Sequence, residues 1–128
     1  IDNNATEMTL NDYKIWCFNG NVESILVVHD RKGINGKDYK LSFFDKDWNN
    51  ISDKALLKDG KHYWGGNIEK PTTLEQMLTV AQKLSVGFPE VRVDFYTVNG
   101  KVYFGELTQL DMEHMPMNII NTWVVRLI

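Results

Sequence analysis

Two strand-like runs, Val91-Arg92-Val93-Asp94-Phe95-Tyr96 and Val102-Tyr103-Phe104-Gly105-Glu106-Leu107, meet through Asn99-Gly100, and this arrangement constrains the chain more than any other segment. Asn-Gly tolerates the left-handed backbone of the two-residue turn whose twist matches antiparallel strands. A hairpin over residues 90–107 is therefore expected, with Val91, Val93, Phe95, Val102 and Phe104 on one apolar face. With an unbroken ladder, Val98 pairs with Lys101, and counting back sets Asp94 opposite Gly105 and Val93 opposite Glu106. The two carboxylates then point to opposite faces. A glycine inside a strand often marks a bulge, and one extra residue at Gly105 keeps Phe104 inward while turning Glu106 onto the face of Asp94. We expect a bulge or strong local twist at Gly105.

That detail of register decides the chemistry. Magnesium is commonly held by one or two carboxylates together with substrate phosphates, and arginine matches phosphate oxygens bidentately. Asp94, Glu106 and Arg92 form such a set if they share a face. The competing reading is that all three are solvated strand charges paired across a surface sheet.

The rest of the chain reads as one unit. Residues 1–11 are a polar lead-in, followed by an aromatic-rich strand in which Tyr13, Ile15 and Cys17 alternate with Lys14, Trp16 and Phe18. Asn19-Gly20-Asn21 turns the chain into a second strand over residues 22–29, and residues 39–44 form a third. Residues 45–70 have no clean period and read as a long, partly ordered loop holding Trp48 and Trp64. Then Leu74, Met77, Leu78, Ala81 and Leu84 recur at helical spacing after Pro71, with Thr73 and Gln76 placed for a capping box. Gly87 and Pro89 stop the helix. Residues 109–128 are a divergent, methionine-rich tail whose apolar spacing fits a helix. The expected class is α+β, a mostly antiparallel sheet of hairpins packed by one main helix.

With 128 residues, 43% hydrophobic and 24% charged, the chain has room for one domain with its own core. Fourteen basic against seventeen acidic side chains give a net charge of −3, which supplies no broad attraction for nucleic acid or anionic lipid. No apolar stretch approaches the roughly 20 residues that span a bilayer. Cys17 is the single cysteine, which suits a reducing, cytoplasmic setting. The chain begins at Ile1 rather than at methionine and reads as a piece of something longer.

Weaker candidates remain. Lys14 and Arg31 lie on and just after the first hairpin and are placed to meet phosphate, although basic residues at strand ends more often face solvent. His29, His62 and His114 lack zinc spacing, and Asp111-Met112-Glu113-His114 resembles a metal motif only superficially. Phosphate-loop, dinucleotide and hydrolase-elbow patterns do not occur. Trp48 and Trp64 suit either a sugar-stacking or partner surface, or the anchoring of their own loop.

Asp12-Tyr13-Lys14, Cys17-Phe18-Asn19-Gly20, Asp30-Arg31, Phe44-Asp45-Lys46-Asp47-Trp48-Asn49, Lys70-Pro71, Val91 to Tyr96 and Gly105-Glu106-Leu107-Thr108 together resemble ATP-grasp proteins of the TupA-like type. The resemblance covers roughly residues 10–108, so residues 12–108 are expected to form part of an ATP-grasp domain, its C-terminal half. It implies an ATP- and Mg²⁺-dependent carboxylate–amine ligase of cell-surface polysaccharide biosynthesis, a family often labelled glycosyltransferase. It also implies Asp94 and Glu106 as the magnesium carboxylates, Arg92 as the catalytic residue steadying transferred phosphate, and Lys14 and Arg31 as nucleotide-binding residues. Thr108 stands where many ATP-grasp enzymes carry an asparagine ligand. The upstream jaw of the nucleotide clamp has no counterpart here, so the chain alone is expected to be inactive. The other function class is a non-catalytic glycan- or protein-binding module centred on the tryptophan loop.

Overall fold

The structure, a computed structural model, describes residues 10–32, 37–56, 58–109 and 122–123. Strands β1 (Leu10–Phe18), β2 (Asn21–Lys32), β3 (Asp38–Asp45), β4 (Val91–Val98), β5 (Lys101–Gln109) and the short β6 (Thr122–Trp123) form a single sheet ordered β3-β2-β1-β4-β5-β6. Every strand pairing is antiparallel. Helix α1 (Ser52–Ala55) is a single turn, and α2 (Leu74–Ser85) is the main helix. This is the expected α+β architecture.

Both hairpin turns follow from their Asn-Gly pairs. Asn19 and Gly20 have φ of 49° and 87°, and Asn99 and Gly100 have 53° and 80°, the left-handed pair that joins twisted strands tightly. β1 starts at Leu10, earlier than the lead-in reading placed it, because β4 continues to pair with it through Leu10↔Val98 and Asn11↔Thr97. Residues 1–9 lie outside the described set. Most of the tail read as helical does too; of it, Gln109 ends β5, and Thr122 and Trp123 pair with Thr108 and Leu107.

Strand alternation divides the sheet into two faces. Tyr13, Ile15, Cys17, Ile25, Val27, Phe44, Val91, Val93, Phe95, Phe104 and Leu107 form one buried cluster with Leu74, Met77 and Ala81 of α2. The buried stripe of α2 runs through Leu74, Met77, Ala81 and Ser85, whereas Leu84, expected inward, is 37% exposed at its rim. The capping box does not form. Thr73 has φ −92° and ψ 5°, close to helical, so its Oγ1 makes no cap hydrogen bond and is buried without a partner among the described residues. The stop at Gly87 does form, with φ 91°, and the helix end is tied to the first hairpin by Gly87 N–H donating to Asn19 Oδ1 and Asn19 N–H to the Phe88 carbonyl.

The long loop closes the β3 edge. Leu41 exchanges backbone hydrogen bonds with His62, Trp64 and Gly65, while Ile51 donates to the Phe43 carbonyl. Trp48 stacks on Phe44 at 4.1 Å and 1°, and its Nε1–H donates to the Ile68 carbonyl. That tryptophan anchors its loop to the core. An exposed strand edge invites pairing with other chains, and the loop removes that opportunity.

Candidate magnesium and phosphate site on the open sheet face

The face away from α2 carries the chemistry. In the β4–β5 ladder Phe95 pairs with Phe104 and Asp94 pairs with Glu106, with the register shifting between Asp94 and Phe95. Gly105 is the additional residue. A Cβ there would lie 3.3 Å from the Asp94 carbonyl oxygen, so the bulge brings two backbones closer than most side chains allow. The outcome matches the expected bulge: Phe104 and Leu107 stay buried, and Glu106 turns to the face of Asp94.

Both carboxylates line a cavity of about 340 Å³ together with Asp12, Lys14 and Tyr96. Asp94 is only 7% exposed and is held by two cations. Arg92 Nε donates to its Oδ1 at 2.9 Å and Arg92 Nη2 to its Oδ2 at 3.0 Å, while Lys14 Nζ donates to Oδ2 at 3.3 Å. The last contact exists because Lys14 stands opposite Asp94 across the β1–β4 ladder. Arg92 also lies 5.8 Å from the Trp16 ring centre, and Trp16 stacks on Phe43 at 5.7 Å, which gives the guanidinium a fixed floor. Glu106 has no ion pair among the described residues.

Arg31 sits at the margin. It reaches the cavity through Asp12, donating from Nη2 to Asp12 Oδ2 at 2.7 Å, with its guanidinium 5.0 Å from the Tyr39 ring centre. Asp12, Trp16 and Tyr96 were not singled out from the sequence as site residues. Their signal was the alternation itself, since Asp12, Lys14 and Trp16 interleave with the buried Tyr13, Ile15 and Cys17. Asp111, Glu113 and His114 lie outside the described residues.

Among the described residues no group of three or more histidine, cysteine or acidic side chains is gathered for a metal. A cation here would rest on Asp94 and Glu106 and take its remaining ligands from water or phosphate. That is the coordination habit of magnesium, which keeps several waters and uses few protein carboxylates. The donor set fits it, and the flanking Lys14 and Arg92 fit the anion that would accompany it.

Residues 1–116 match the sequence model described as TupA-like ATPgrasp. The chain belongs to the TupA-like ATP-grasp family. No curated protein and no solved structure matches it. ATP-grasp proteins generally use ATP with magnesium. No helix among the described residues is long and apolar enough to cross a membrane.

Proposed function

We propose that this chain supplies one jaw of the nucleotide site in an ATP- and magnesium-dependent carboxylate–amine ligase that acts in cell-surface polysaccharide biosynthesis, on the cytoplasmic side where ATP is available. The observation that carries the reading is the Gly105 bulge, which sets Asp94 and Glu106 opposite each other in one cavity beside Arg92 and Lys14.

In this reading Asp94 and Glu106 hold the magnesium, which when bound neutralises charge across the phosphate oxygens. Arg92 uses Nε and Nη2 on Asp94 and keeps further N–H donors for a transferred phosphoryl group. Its position is fixed by Asp94 below and Trp16 beside it, so little reorganisation is needed when charge develops. Lys14 neutralises phosphate from the neighbouring strand, and Arg31 shapes the cavity margin through Asp12. Positioning and charge neutralisation, rather than covalent participation by the protein, carry phosphoryl transfer to a carboxylate.

The test is calorimetric titration of Mg²⁺-ATP into the full-length protein. Binding is expected, and Asp94→Asn and Glu106→Gln are expected to remove its magnesium dependence while the folded circular dichroism spectrum is retained. Absence of nucleotide binding in that protein would sink the reading.

A further inference from the structure

Asp94 already holds cations. Among the described residues three N–H donors converge on its carboxylate: Arg92 Nε on Oδ1 at 2.9 Å, and Arg92 Nη2 and Lys14 Nζ together on Oδ2 at 3.0 Å and 3.3 Å. The residue is 7% exposed, so whatever reaches it comes through the cavity that Lys14, Asp94 and Glu106 line together. A divalent cation bound by Asp94 and Glu106 therefore comes to a carboxylate that already carries an ammonium, and like charges at that distance repel.

The two partners of Asp94 are not equally fixed. Arg92 lies on the same strand, grips both oxygens and has the Trp16 ring centre 5.8 Å from its guanidinium. Lys14 reaches across from β1 on a flexible four-carbon stem and makes a single contact, 3.3 Å long where charge-assisted bonds usually close to about 2.7–2.9 Å. Its side chain is 24% exposed. If one partner leaves Asp94, it is Lys14. An ammonium that leaves needs another anion, and Asp12, the other carboxylate at its side of the cavity, already accepts from Arg31 Nη2 at 2.7 Å.

Charge balance sets the order of events. Lys14 and Arg92 offset Asp94 and Glu106, so a divalent cation added alone leaves positive charge in excess around a buried carboxylate. One added with phosphate brings Lys14 an anion to turn to. We propose that Lys14 is a displaceable counter-ion: it holds Asp94 against a free divalent cation and gives it up to one that arrives with phosphate. The proposal rests on the reading of Asp94 and Glu106 as the metal carboxylates, and it adds to that reading a positive coupling between metal and phosphate that runs through one side chain. Such coupling is reciprocal, so each ligand strengthens the binding of the other by the same factor.

Electron paramagnetic resonance of Mn²⁺, which takes the same oxygen ligands as magnesium, tests this on the full-length protein without nucleotide. Free Mn²⁺ is read from the aqua-ion signal against a protein-free blank containing the same inorganic phosphate. In the parent, phosphate is expected to tighten Mn²⁺ binding by about tenfold. Lys14→Gln removes the charge and keeps an N–H donor for Asp94; without phosphate it is expected to bind Mn²⁺ about tenfold more tightly than the parent, and to gain less when phosphate is added. Lys14→Arg keeps the charge and is expected to follow the parent, while Asp94→Asn is expected to abolish the response. Lys14→Gln binding Mn²⁺ no more tightly than the parent overturns the proposal. So does a parent whose Mn²⁺ binding is absent or indifferent to phosphate, a measurement that needs no substituted chain to fold, or a response that survives Asp94→Asn. Nucleotide binding with no Lys14 effect on Mn²⁺ removes this proposal and keeps the ligase reading; a Lys14 effect with no nucleotide binding removes the ligase reading and keeps the counter-ion.

Discussion

Glu106 stands opposite Asp94 across the β4–β5 ladder because Gly105 is absorbed as an additional residue between Phe104 and Glu106. Without that bulge the alternation of β5 would drive Glu106 toward the core and push Leu107, 8% exposed, out of it. One glycine therefore serves both the core and the open face.

A branched side chain at Gly105 tests this. Its Cβ would crowd the Asp94 carbonyl oxygen at 3.3 Å, and backbone has little room to yield. Gly105→Val is expected to lower stability by about 1–2 kcal/mol, read as a lower urea midpoint with unchanged slope. A midpoint equal to the parent's would show that the close approach carries no cost.

Arg92→Lys separates charge from geometry. Lysine keeps the positive charge but loses the two-pronged contact with Asp94 and moves the cation relative to the Trp16 ring, 5.8 Å away in the parent. Because Arg92 is about a quarter exposed, the expected loss is modest, roughly 1 kcal/mol, with a change in tryptophan fluorescence. An unchanged spectrum and midpoint would mean that the guanidinium plane is not what matters.

Trp48 anchors the long loop through its stack on Phe44 and its bond to the Ile68 carbonyl. Trp48→Ala is expected to cost about 2–4 kcal/mol, and Trp48→Phe about 1 kcal/mol, since phenylalanine preserves the stack and loses only the donor. Limited proteolysis within residues 46–70 should accelerate in the alanine variant first. Equal losses in the two variants would refute the division between stack and hydrogen bond.

His29 gives a pH dependence of defined sign. Its folded pKa is lowered by burial from 6.5, with Asp30 opposing and Lys40 adding slightly, so between the two values the unfolded chain binds more protons than the folded one. Stability is then full above 6.5 and declines as pH falls through the window below it. The difference in urea midpoint between the parent and His29→Gln should shrink progressively across that window. A parallel pair of pH profiles would remove His29 as the cause.

Cys17 is fully buried beside α2, where its thiol donates to the Ala81 carbonyl, and burial raises its thiol pKa with the neighbouring Ser85 side chain opposing. The thiolate is the reactive form, so a disulfide reagent is expected to leave Cys17 untouched in the native protein and to label it only through unfolding. Labelling that is fast in native buffer and indifferent to urea would contradict its burial.

Local chemistry in the sequence was enough for much of the fold. The Asn-Gly pairs, the alternation around them, the apolar spacing of α2 and the stop at Gly87 are decisions made within a few residues, and each element formed where those signals lay. The glycine at 105 even carried the register of the last hairpin. The capping box and the inward place of Leu84 were not secured by the same kind of signal, because the approach through Pro71 and the docking of α2 on the sheet set the dihedrals of Thr73 and the rotation of the helix.

The site divides in the same way. Asp94, Glu106 and Arg92 lie within one hairpin, so their shared face was a matter of local register. Lys14 comes from a strand eighty residues away, and its contact with Asp94 depends on β1 pairing with β4 in the middle of the sheet. Asp12 and Trp16 likewise join the site only after distant strands have been brought together. The sequence by itself determined the hairpins, the main helix and the bulge, because turn chemistry and side-chain alternation are local. Which charges meet, and which polar atoms are left buried without partners, was decided by the order of strands in the sheet, a long-range choice that only the packed core makes.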